Sequence, residues 1–315
     1  YKRQVHRQVF LFASEAKSIL AYEGFESRVN AERIEEYLTF GSIPGEETLF
    51  QNIFQLLPGH MIVVEDSSLK SRRYWDIQFD EIEANTLDSC PERLDTMLRE
   101  SVRMELVSDV PVGALLSGGI DSSLVVHNMA RLTHPVRTFT AGFPGKEYDE
   151  SEWAGIVARK LKTQHHEVVV NSHNFFEALP RLIWHNDEPI VHPSSVPIYF
   201  LARLAKEHGV KVLFSGEGAD EMLAGYGSYP AYVRDARLTK IVPTRLASLL
   251  MLVVNPMVKP RLLKFVERYT FSEEELLKFH ISPNFRAARS LVATEPNCDS
   301  FFERYYDQVK NLNPL

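Results

Sequence analysis

The alternation of apolar runs between residues 110 and 215 constrains this chain more than any other feature. We predict strands at 110–116, 136–143, 166–170 and 210–215, and helices at 121–132, 151–162, 174–186 and 196–208. Such an alternation implies a parallel sheet covered by helices. The runs 113–116 and 210–214 are mostly apolar, which is typical of strands buried on both faces. We therefore predict an α/β fold that binds ligands at the carboxyl ends of its strands.

Composition and charge narrow the classes of protein. The 315 residues are 44% hydrophobic and 24% charged, as in ordinary globular proteins. A net charge of −7 gives no electrostatic reason to expect nucleic acid as a partner. The longest apolar run, 246–254, is well short of the roughly 20 residues that span a bilayer, and we interpret it as a buried helix. The two cysteines, Cys90 and Cys298, suit neither a disulfide framework nor a zinc site and fit a reducing cytoplasm.

The segments on either side of the alternation have different patterns. Residues 9–64 indicate short strands and turns around one helix that opens at Asn30. Their apolar residues are too few to enclose a core alone: Phe10, Phe12, Phe50, Phe54, Leu56, Met61 and Val63. A helix is predicted at 91–107, and helical periodicity dominates 246–279 and 301–309. We therefore predict domains at 1–80, 81–230 and 231–315.

A glycine pair with flanking hydroxyls follows the first predicted strand. Residues 117–123 read Ser-Gly-Gly-Ile-Asp-Ser-Ser, and an amphipathic helix follows. The glycines let the backbone approach a phosphate, and the serine hydroxyls and the helix N-terminal N–H groups can donate to it. In isolation, the same sequence is more often a capped strand–helix turn. The chain lacks the lysine loop of a Walker A motif, so cleavage between the α and β phosphates fits better than transfer of the terminal phosphate.

A second glycine-containing segment follows the strand predicted at 210–215. Residues 213–221 read Leu-Phe-Ser-Gly-Glu-Gly-Ala-Asp-Glu, and parallel strands would bring this segment and the first to one site. Glu217, Asp220 and Glu221 would repel one another unless a cation lay among them, and Mg²⁺ bound to ATP supplies one. Alone, this segment would be read as an acidic surface turn.

Together the two segments resemble the ATP-pyrophosphatase family, particularly the asparagine synthetases. The resemblance implies a parallel five-stranded-type sheet with flanking helices, the adenine nucleotide alpha hydrolase-like fold. It implies that ATP is contacted by Leu116, Ser117, Gly118, Gly119, Ser122, Ala141, Ser215 and Gly216. Asp121 and Asp220 would hold Mg²⁺, although Asp121 could instead cap its helix.

The segment between the two motifs carries a further family likeness. Residues 184–189, Trp-His-Asn-Asp-Glu-Pro, and 192–195 resemble the part of the family site where the carboxylate substrate is activated. The resemblance implies that Asp187 and Glu217 are catalytic. His185 and His192 have no obvious third metal ligand nearby, so we interpret them as structural. Residues 148–152 and 165–167 also resemble the family, and alone they indicate an acid-rich helix start and a polar strand entry.

Residues 9–76 resemble the last part of the family's N-terminal glutaminase domain, an α+β remnant. The family's glutaminase nucleophile is an N-terminal cysteine, and the interior Cys90 cannot replace it. The chain begins at Tyr1, and the family's later Arg-x-Pro-x-Leu-Asp segment and site lysine are not found after Tyr229. We therefore expect a chain truncated at both ends that makes no ammonia itself.

The implied activity is ligation: ATP-dependent amidation of aspartate to asparagine through β-aspartyl-AMP, releasing AMP and pyrophosphate. The implied partners are aspartate, ATP, Mg²⁺ and either ammonia or glutamine, without nucleic acid or membrane, and a homodimer stays open. Two alternatives also stay open. One is an amidotransferase of the same superfamily with another carboxylate acceptor, and the other is a non-catalytic paralogue that binds nucleotide.

Overall fold

The structure is a computed structural model that describes residues 2–6, 9–65, 68–78, 90–145, 149–190, 192–241 and 268–282. The helices expected across 246–267 and 301–309 lie outside these residues, as do Tyr148 and Cys298.

Nine strands and ten helices are described. The strands are β1 (Lys2–His6), β2 (Val9–Ala13), β3 (Phe54–Gln55), β4 (His60–Glu65), β5 (Ser68–Arg73), β6 (Val112–Leu115), β7 (Arg137–Gly142), β8 (Gln164–Val169) and β9 (Val212–Phe214). The helices are α1 (Ala16–Leu20), α2 (Ile34–Phe40), α3 (Cys90–Glu105), α4 (Ile120–Leu132), α5 (Ser151–Leu161), α6 (Ser172–Asn186), α7 (Ser195–Glu207), α8 (Ala219–Leu223), α9 (Ser228–Ile241) and α10 (Glu273–Ile281). They fall into two compact units, one formed by 1–76 with 225–315 and the other by 77–224.

The second unit is built on a four-stranded parallel sheet in the order β8-β7-β6-β9. The chain runs from β6 outward through β7 to β8, then returns to place β9 on the other side of β6. This reversal creates a topological switch point between β6 and β9, where open α/β sheets bind their ligands. The loops that follow these two strands are residues 116–119 and 215–218.

Helices cover both faces of this sheet, as the apolar pattern predicts. On one face, Val102 of α3, Val126 and Met129 of α4 and Ala154 of α5 pack with Leu116 in a buried cluster. On the other face, the side chains of α6 and α7 pack over β7 and β8, and they include Leu182, Val196, Phe200, Leu201 and Ala205. The parallel sheet with flanking helices confirms the predicted fold class.

The differences from the predicted strands have clear causes. We predicted a sheet of the five-stranded type, and the described sheet has four strands. β9 lies at the edge of the described sheet, and Val212 is 40% exposed, so the expectation that this strand is buried on both faces was wrong. β7 lies inside the sheet, and four of its six residues are buried.

The first unit contains a three-stranded antiparallel sheet in the order β2-β1-β3 and a β4-β5 hairpin. A small core forms around Ala16, Ile19 and Ile53. A 3-10 turn at Ala31–Arg33 leads into α2, close to the predicted helix start. Asn30 does not cap it with its side chain, which donates instead to the carbonyl oxygen of Thr48 at 3.2 Å.

Within the described parts of the chain, the helices are all too short or too polar to cross a membrane.

Candidate functional site

The loop after β6 is organised by the hydroxyls of Ser117 and Ser122. Ser122 Oγ accepts from the Ser117 backbone N–H at 3.2 Å and donates to the Gly119 carbonyl at 3.3 Å. The two hydroxyl oxygens lie 3.0 Å apart, and Ser117 Oγ accepts from the Gly119 N–H at 3.2 Å. Ser122 is buried, whereas Ser117 is half-buried. The Ser122 hydroxyl therefore shapes the loop from inside, and the hydroxyl of Ser117 lies closer to solvent.

At position 118, only glycine fits the loop without a rearrangement of its surroundings. Its φ is +83°, in the left-handed region. A Cβ atom at this position would lie 2.5 Å from the backbone nitrogen of Ala154 and 2.5 Å from the carbonyl carbon of Trp153. The loop is thus pressed against the first turn of α5.

The helix after the loop begins with uncapped donors. Gly119 is the N-cap residue of α4 and has no side chain with which to cap it. The N–H groups of a first helical turn have no partner within the helix, and the helix dipole favours an anion beside them. Ile120, the first residue of α4, is 79% exposed, so its side chain does not cover this end of the helix. The arrangement suits a phosphate group.

The loop after β9 packs directly on this helix start. A Cβ atom on Gly216 would lie 2.8 Å from the backbone nitrogen of Ser122 and 3.0 Å from Asp121 Cβ. The Glu217 N–H donates to Ser215 Oγ at 3.3 Å, which tightens the turn. The structure therefore brings the two sequence motifs together at the switch point of the sheet.

Four acidic residues were predicted for the site. Asp121 lies in the first turn of α4 and Asp220 in the first turn of α8, and both are half-buried. Glu217 is exposed in the loop between β9 and α8. Asp187 lies at the C-cap of α6, with a left-handed φ of +62°, and its relation to the two loops stays a prediction.

Metal binding at this site would depend on few protein ligands. Among the residues that the structure describes, no group of three or more His, Cys, Asp or Glu side chains could hold an ion. Carboxylate oxygens such as those of Asp121 and Asp220 are the donors that Mg²⁺ prefers, and Mg²⁺ commonly takes one or two carboxylates together with phosphate oxygens and water. The donor set thus fits an ion that arrives with a nucleotide.

Two of the predicted nucleotide contacts, Leu116 and Ala141, lie just after β6 and on β7 and differ in their access to solvent. Leu116 is 1% exposed, its N–H donates to the Phe139 carbonyl at 2.9 Å, and its carbonyl accepts from the hydroxyl of Thr140. Ala141 is half-buried near the carboxyl end of β7, in register with Val168 of β8. Both contacts stay predictions.

Asp149 was not predicted as part of the site. Its carboxylate accepts hydrogen bonds from both the backbone and the hydroxyl of Ser151, at 3.2 and 3.0 Å. The sequence offered two signals, the family likeness of residues 148–152 and an acidic residue just before a predicted helix start, and neither gave Asp149 a role. The hydrogen bonds from Ser151 hold the pKa of the Asp149 carboxyl below its ordinary value.

Fold and site together define a class: α/β proteins with paired glycine loops at the switch point of a parallel sheet, an arrangement suited to phosphate groups. The family described as asparagine synthase matches residues 93–311, and the glutamine amidotransferase domain matches residues 1–75. Since the first match covers more than half of the chain, the chain belongs to the asparagine synthase family.

The chain is also similar to individual proteins of known name. Asparagine synthetase (glutamine-hydrolyzing) 1 of Bacillus subtilis is 33% identical over 231 residues, which cover 73% of this chain and 36% of that protein. Amidase chry2 of Gibberella zeae is 28% identical over 248 residues, covering 72% of this chain and 36% of that protein. The matched region thus spans little more than a third of these relatives.

Among solved structures, the NH3-dependent NAD synthetase from Campylobacter jejuni is similar with a TM-score of 0.30 and 13% identity, over 61% of this chain and 96% of that one. That likeness is too weak to support an inference about the fold or the chemistry.

Proposed function

We propose that this chain carries the ATP-dependent, amide-forming site of an asparagine synthetase. The observation that carries the proposal is the packing of Gly216 against Ser122 and Asp121, which joins the two motifs at one edge of the sheet. The family match and the B. subtilis relative support it. Neither loop alone would distinguish a nucleotide site from an ordinary turn.

The proposed reaction has two steps. A side-chain carboxylate oxygen of aspartate attacks the α-phosphorus of ATP, the bond from that phosphorus to the bridging oxygen breaks, and pyrophosphate leaves with the electron pair. Ammonia then attacks the carbonyl carbon of β-aspartyl-AMP, AMP leaves, and the nitrogen loses a proton to give asparagine. Adenylation is needed because a free carboxylate oxygen is a very poor leaving group.

The glycine loop would bind the pyrophosphate part of ATP. The N–H groups at the start of α4, which no side chain caps, and the hydroxyl of Ser117 would donate to phosphate oxygens. Gly118 and Gly119 would let those oxygens approach the backbone. The hydroxyl of Ser122 is turned into the loop, so its part would be to hold the loop in shape.

The remaining nucleotide contacts come from the neighbouring strands. Ser215 and Gly216 would contact ATP from the end of β9, and Leu116 and Ala141 would contact it from β6 and β7. Since the Leu116 side chain is buried in the core, any contact from this residue would have to come from its backbone.

The acidic residues divide into two proposed roles. Asp121 and Asp220 would hold Mg²⁺, which when bound offsets the negative charge of the departing pyrophosphate. Glu217 and Asp187 would orient the carboxylate substrate or accept the amine proton. The exposure of Glu217 in the loop after β9 leaves its carboxylate accessible to a substrate.

The proposed nitrogen donor is ammonia or glutamine. The match of residues 1–75 to the glutamine amidotransferase domain supports glutamine in the longer relatives. Cys90 is the first residue of α3 and is exposed, and an interior cysteine has no free amine of its own to serve as base. We therefore assign no glutaminase role to Cys90 and propose ammonium as the donor for testing.

A second candidate is amidation of a different carboxylate. The glycine loops proposed to adenylate a carboxylate do not specify which carboxylate is the acceptor. The similarity to an amidase over 72% of the chain supports this second candidate. In that case pyrophosphate release would need an acceptor other than aspartate.

The decisive measurement is aspartate-dependent release of pyrophosphate from Mg²⁺·ATP with ammonium as donor. We expect release by the chain, loss of release in Asp121→Ala, and no loss in Asp95→Ala. Asp95 is an exposed carboxylate on α3 that pairs with Arg131, so it controls for the loss of a surface charge. ATP binding without aspartate-dependent release would count against the aspartate reaction in this chain. It would favour another acceptor, a non-catalytic role, or turnover that needs more of the relatives' length, of which the match to the B. subtilis protein covers 36%.

A further inference from the structure

The carboxylate of Asp149 joins the end of β7 to the start of α5. Oδ1 accepts from the backbone N–H of Ser151 at 3.2 Å and from that of Phe143 at 3.4 Å, while Oδ2 accepts from the Ser151 hydroxyl at 3.0 Å. Gly142, the last residue of β7, lies so close that a Cβ atom there would be 3.3 Å from Oδ1. One side chain thus fixes the first residue of α5 relative to a strand of the sheet.

The first turn of α5 is in turn the surface on which the glycine loop rests. The space beside Gly118 is filled by the backbone of Trp153 and Ala154, and Ala154 is fully buried. Backbone atoms cannot move aside as a flexible side chain can, and close-packed interiors transmit small shifts. A displacement of the α5 start would therefore change the position of Gly118.

The bonding of Asp149 indicates a positioning role instead of contact with a ligand. Its oxygens accept three hydrogen bonds, and a carboxylate at the start of α5 also suits the helix dipole. The reaction proposed above uses other carboxylates, those of Asp121, Asp187, Glu217 and Asp220. The hydrogen bonds of Asp149 therefore indicate that it holds the start of α5 in place.

We propose that Asp149 is a positioning residue for pyrophosphate binding: it holds the first turn of α5 against Gly118 and so sets the geometry of the glycine loop. This inference rests on the proposed function of that loop.

The test compares pyrophosphate affinity with stability in matched variants of the 315-residue chain. Asp149→Ala is expected to weaken binding of Mg²⁺·pyrophosphate, measured by calorimetry, by about tenfold or more, since small misplacements at a site are costly. Asn171→Ala is the control: Asn171 caps α6 by accepting from the Asn174 N–H at 2.9 Å, in the same unit. It should lower the melting temperature by a few degrees and leave pyrophosphate affinity unchanged.

Two further variants cover the case in which Asp149→Ala does not fold. Asp149→Asn keeps an acceptor for the backbone N–H groups and should lose less affinity. Ser151→Ala removes one of the three hydrogen bonds, and its effect should be absent when Asp149 is already replaced. Hydrogen exchange of the amides at 117–119 and 152–154 should speed up in the Asp149 variants and not in Asn171→Ala.

The outcomes separate the two proposals. If the unaltered chain fails to bind pyrophosphate, the proposed function of the loop is wrong and this inference is overturned with it. If the unaltered chain binds and the Asp149 variants bind equally well, only the inference fails. Equal losses in Asn171→Ala and Asp149→Ala would also overturn it, because affinity would then only follow stability.

Discussion

The backbone of Gly216 lies so close to α4 that a Cβ atom on it would be 2.8 Å from the backbone nitrogen of Ser122. Ser122 belongs to the first turn of α4, and Gly216 follows β9, the strand beside β6. Two segments about a hundred residues apart in sequence therefore share one wall of the site. The reversal of strand order at β6 is what brings them together.

Replacing Gly216 with alanine should force the two loops apart. Overpacking against rigid atoms costs typically about 1–3 kcal/mol, and about 1.4 kcal/mol of binding energy is a tenfold change in affinity. We expect Gly216→Ala to bind Mg²⁺·pyrophosphate at least about tenfold more weakly, as measured by calorimetry. Gly227→Ala is the control, because a Cβ atom there meets nothing within 4 Å. Unchanged affinity in a folded Gly216→Ala protein would show that the contact has no part in binding.

Gly118 offers a test of how tightly the glycine loop is packed. Gly118→Ala should cost about 1–2 kcal/mol for a left-handed alanine and a further 1–3 kcal/mol or so for the clash with α5. Gly209→Ala isolates the first contribution, because Gly209 has a similar φ of +73° and open space around it. Thermal unfolding should therefore show a clearly larger loss of stability for Gly118→Ala. Equal losses would mean that α5 yields easily.

The parallel sheet and its helices were predicted well, because the burial of their residues follows a simple period along the sequence. The described strands and helices of the parallel sheet begin and end within about two residues of their predicted bounds. α1 was missed because five residues, Ala16–Leu20, are too few to show a helical period. The exposure of Val212 was not predictable either, because an apolar run does not reveal which strand lies at the edge.

Some features of the candidate site could likewise be predicted from the sequence, and others could not. The two glycine segments could be found because glycine and hydroxyl residues after an apolar strand are local signals. The contact of Gly216 with Ser122 and the hydrogen bond from Phe143 to Asp149 depend on tertiary packing, which a local pattern does not contain. Asp149 was therefore predicted only as part of a segment, 148–152, that resembles the family and forms an acid-rich helix start, without a role of its own.

A buried acidic residue stabilises the other unit. Asp235 on α9 is fully buried and accepts hydrogen bonds from Arg234 and Arg268, both at 3.0 Å, and its Oδ2 lies 3.2 Å from the Nε2 of His280 on α10. Burial raises the pKa of the Asp235 carboxyl, but the two arginines outweigh it and hold the pKa below its ordinary value. The carboxylate of Asp235 thus links α9 to Arg268 and to α10.

Removing this carboxylate should destabilise the region. Asp235→Ala leaves Arg268, whose side chain is 25% exposed, without its charge partner, and such a loss costs about 1–3 kcal/mol. Hydrogen exchange of α9 and α10 should therefore accelerate by about tenfold or more. Glu26→Gln removes an exposed partner of Arg28 and should leave stability and exchange essentially unchanged, because exposed ion pairs contribute little. Similar exchange in both variants would contradict a stabilising role for Asp235.

A stacked pair of histidines should make stability depend on pH. The rings of His166 on β8 and His208 at the C-cap of α7 have centroids 3.7 Å apart, and His166 also stacks on Phe139. Burial lowers the pKa of His166, and the neighbouring His208, His165 and Arg137 lower it further. Protonation of His166 is therefore unfavourable in the folded chain.

The direction of the effect follows from proton uptake. An unfolded histidine takes up a proton near pH 6.5, whereas folded His166 does so only at lower pH. Between the folded and unfolded pKa values of His166, the unfolded chain therefore binds more protons than the folded chain. Stability consequently falls as pH decreases through about 6.5 and levels off below the folded pKa.

His166→Phe keeps an aromatic ring in the stack and removes the titration, so its melting temperature should fall less between pH 8 and pH 5, by about a few degrees. His127→Gln, at an exposed histidine on α4, should retain the pH response of the unaltered chain. A response in His166→Phe as steep as that of the unaltered chain would place the titrating group elsewhere.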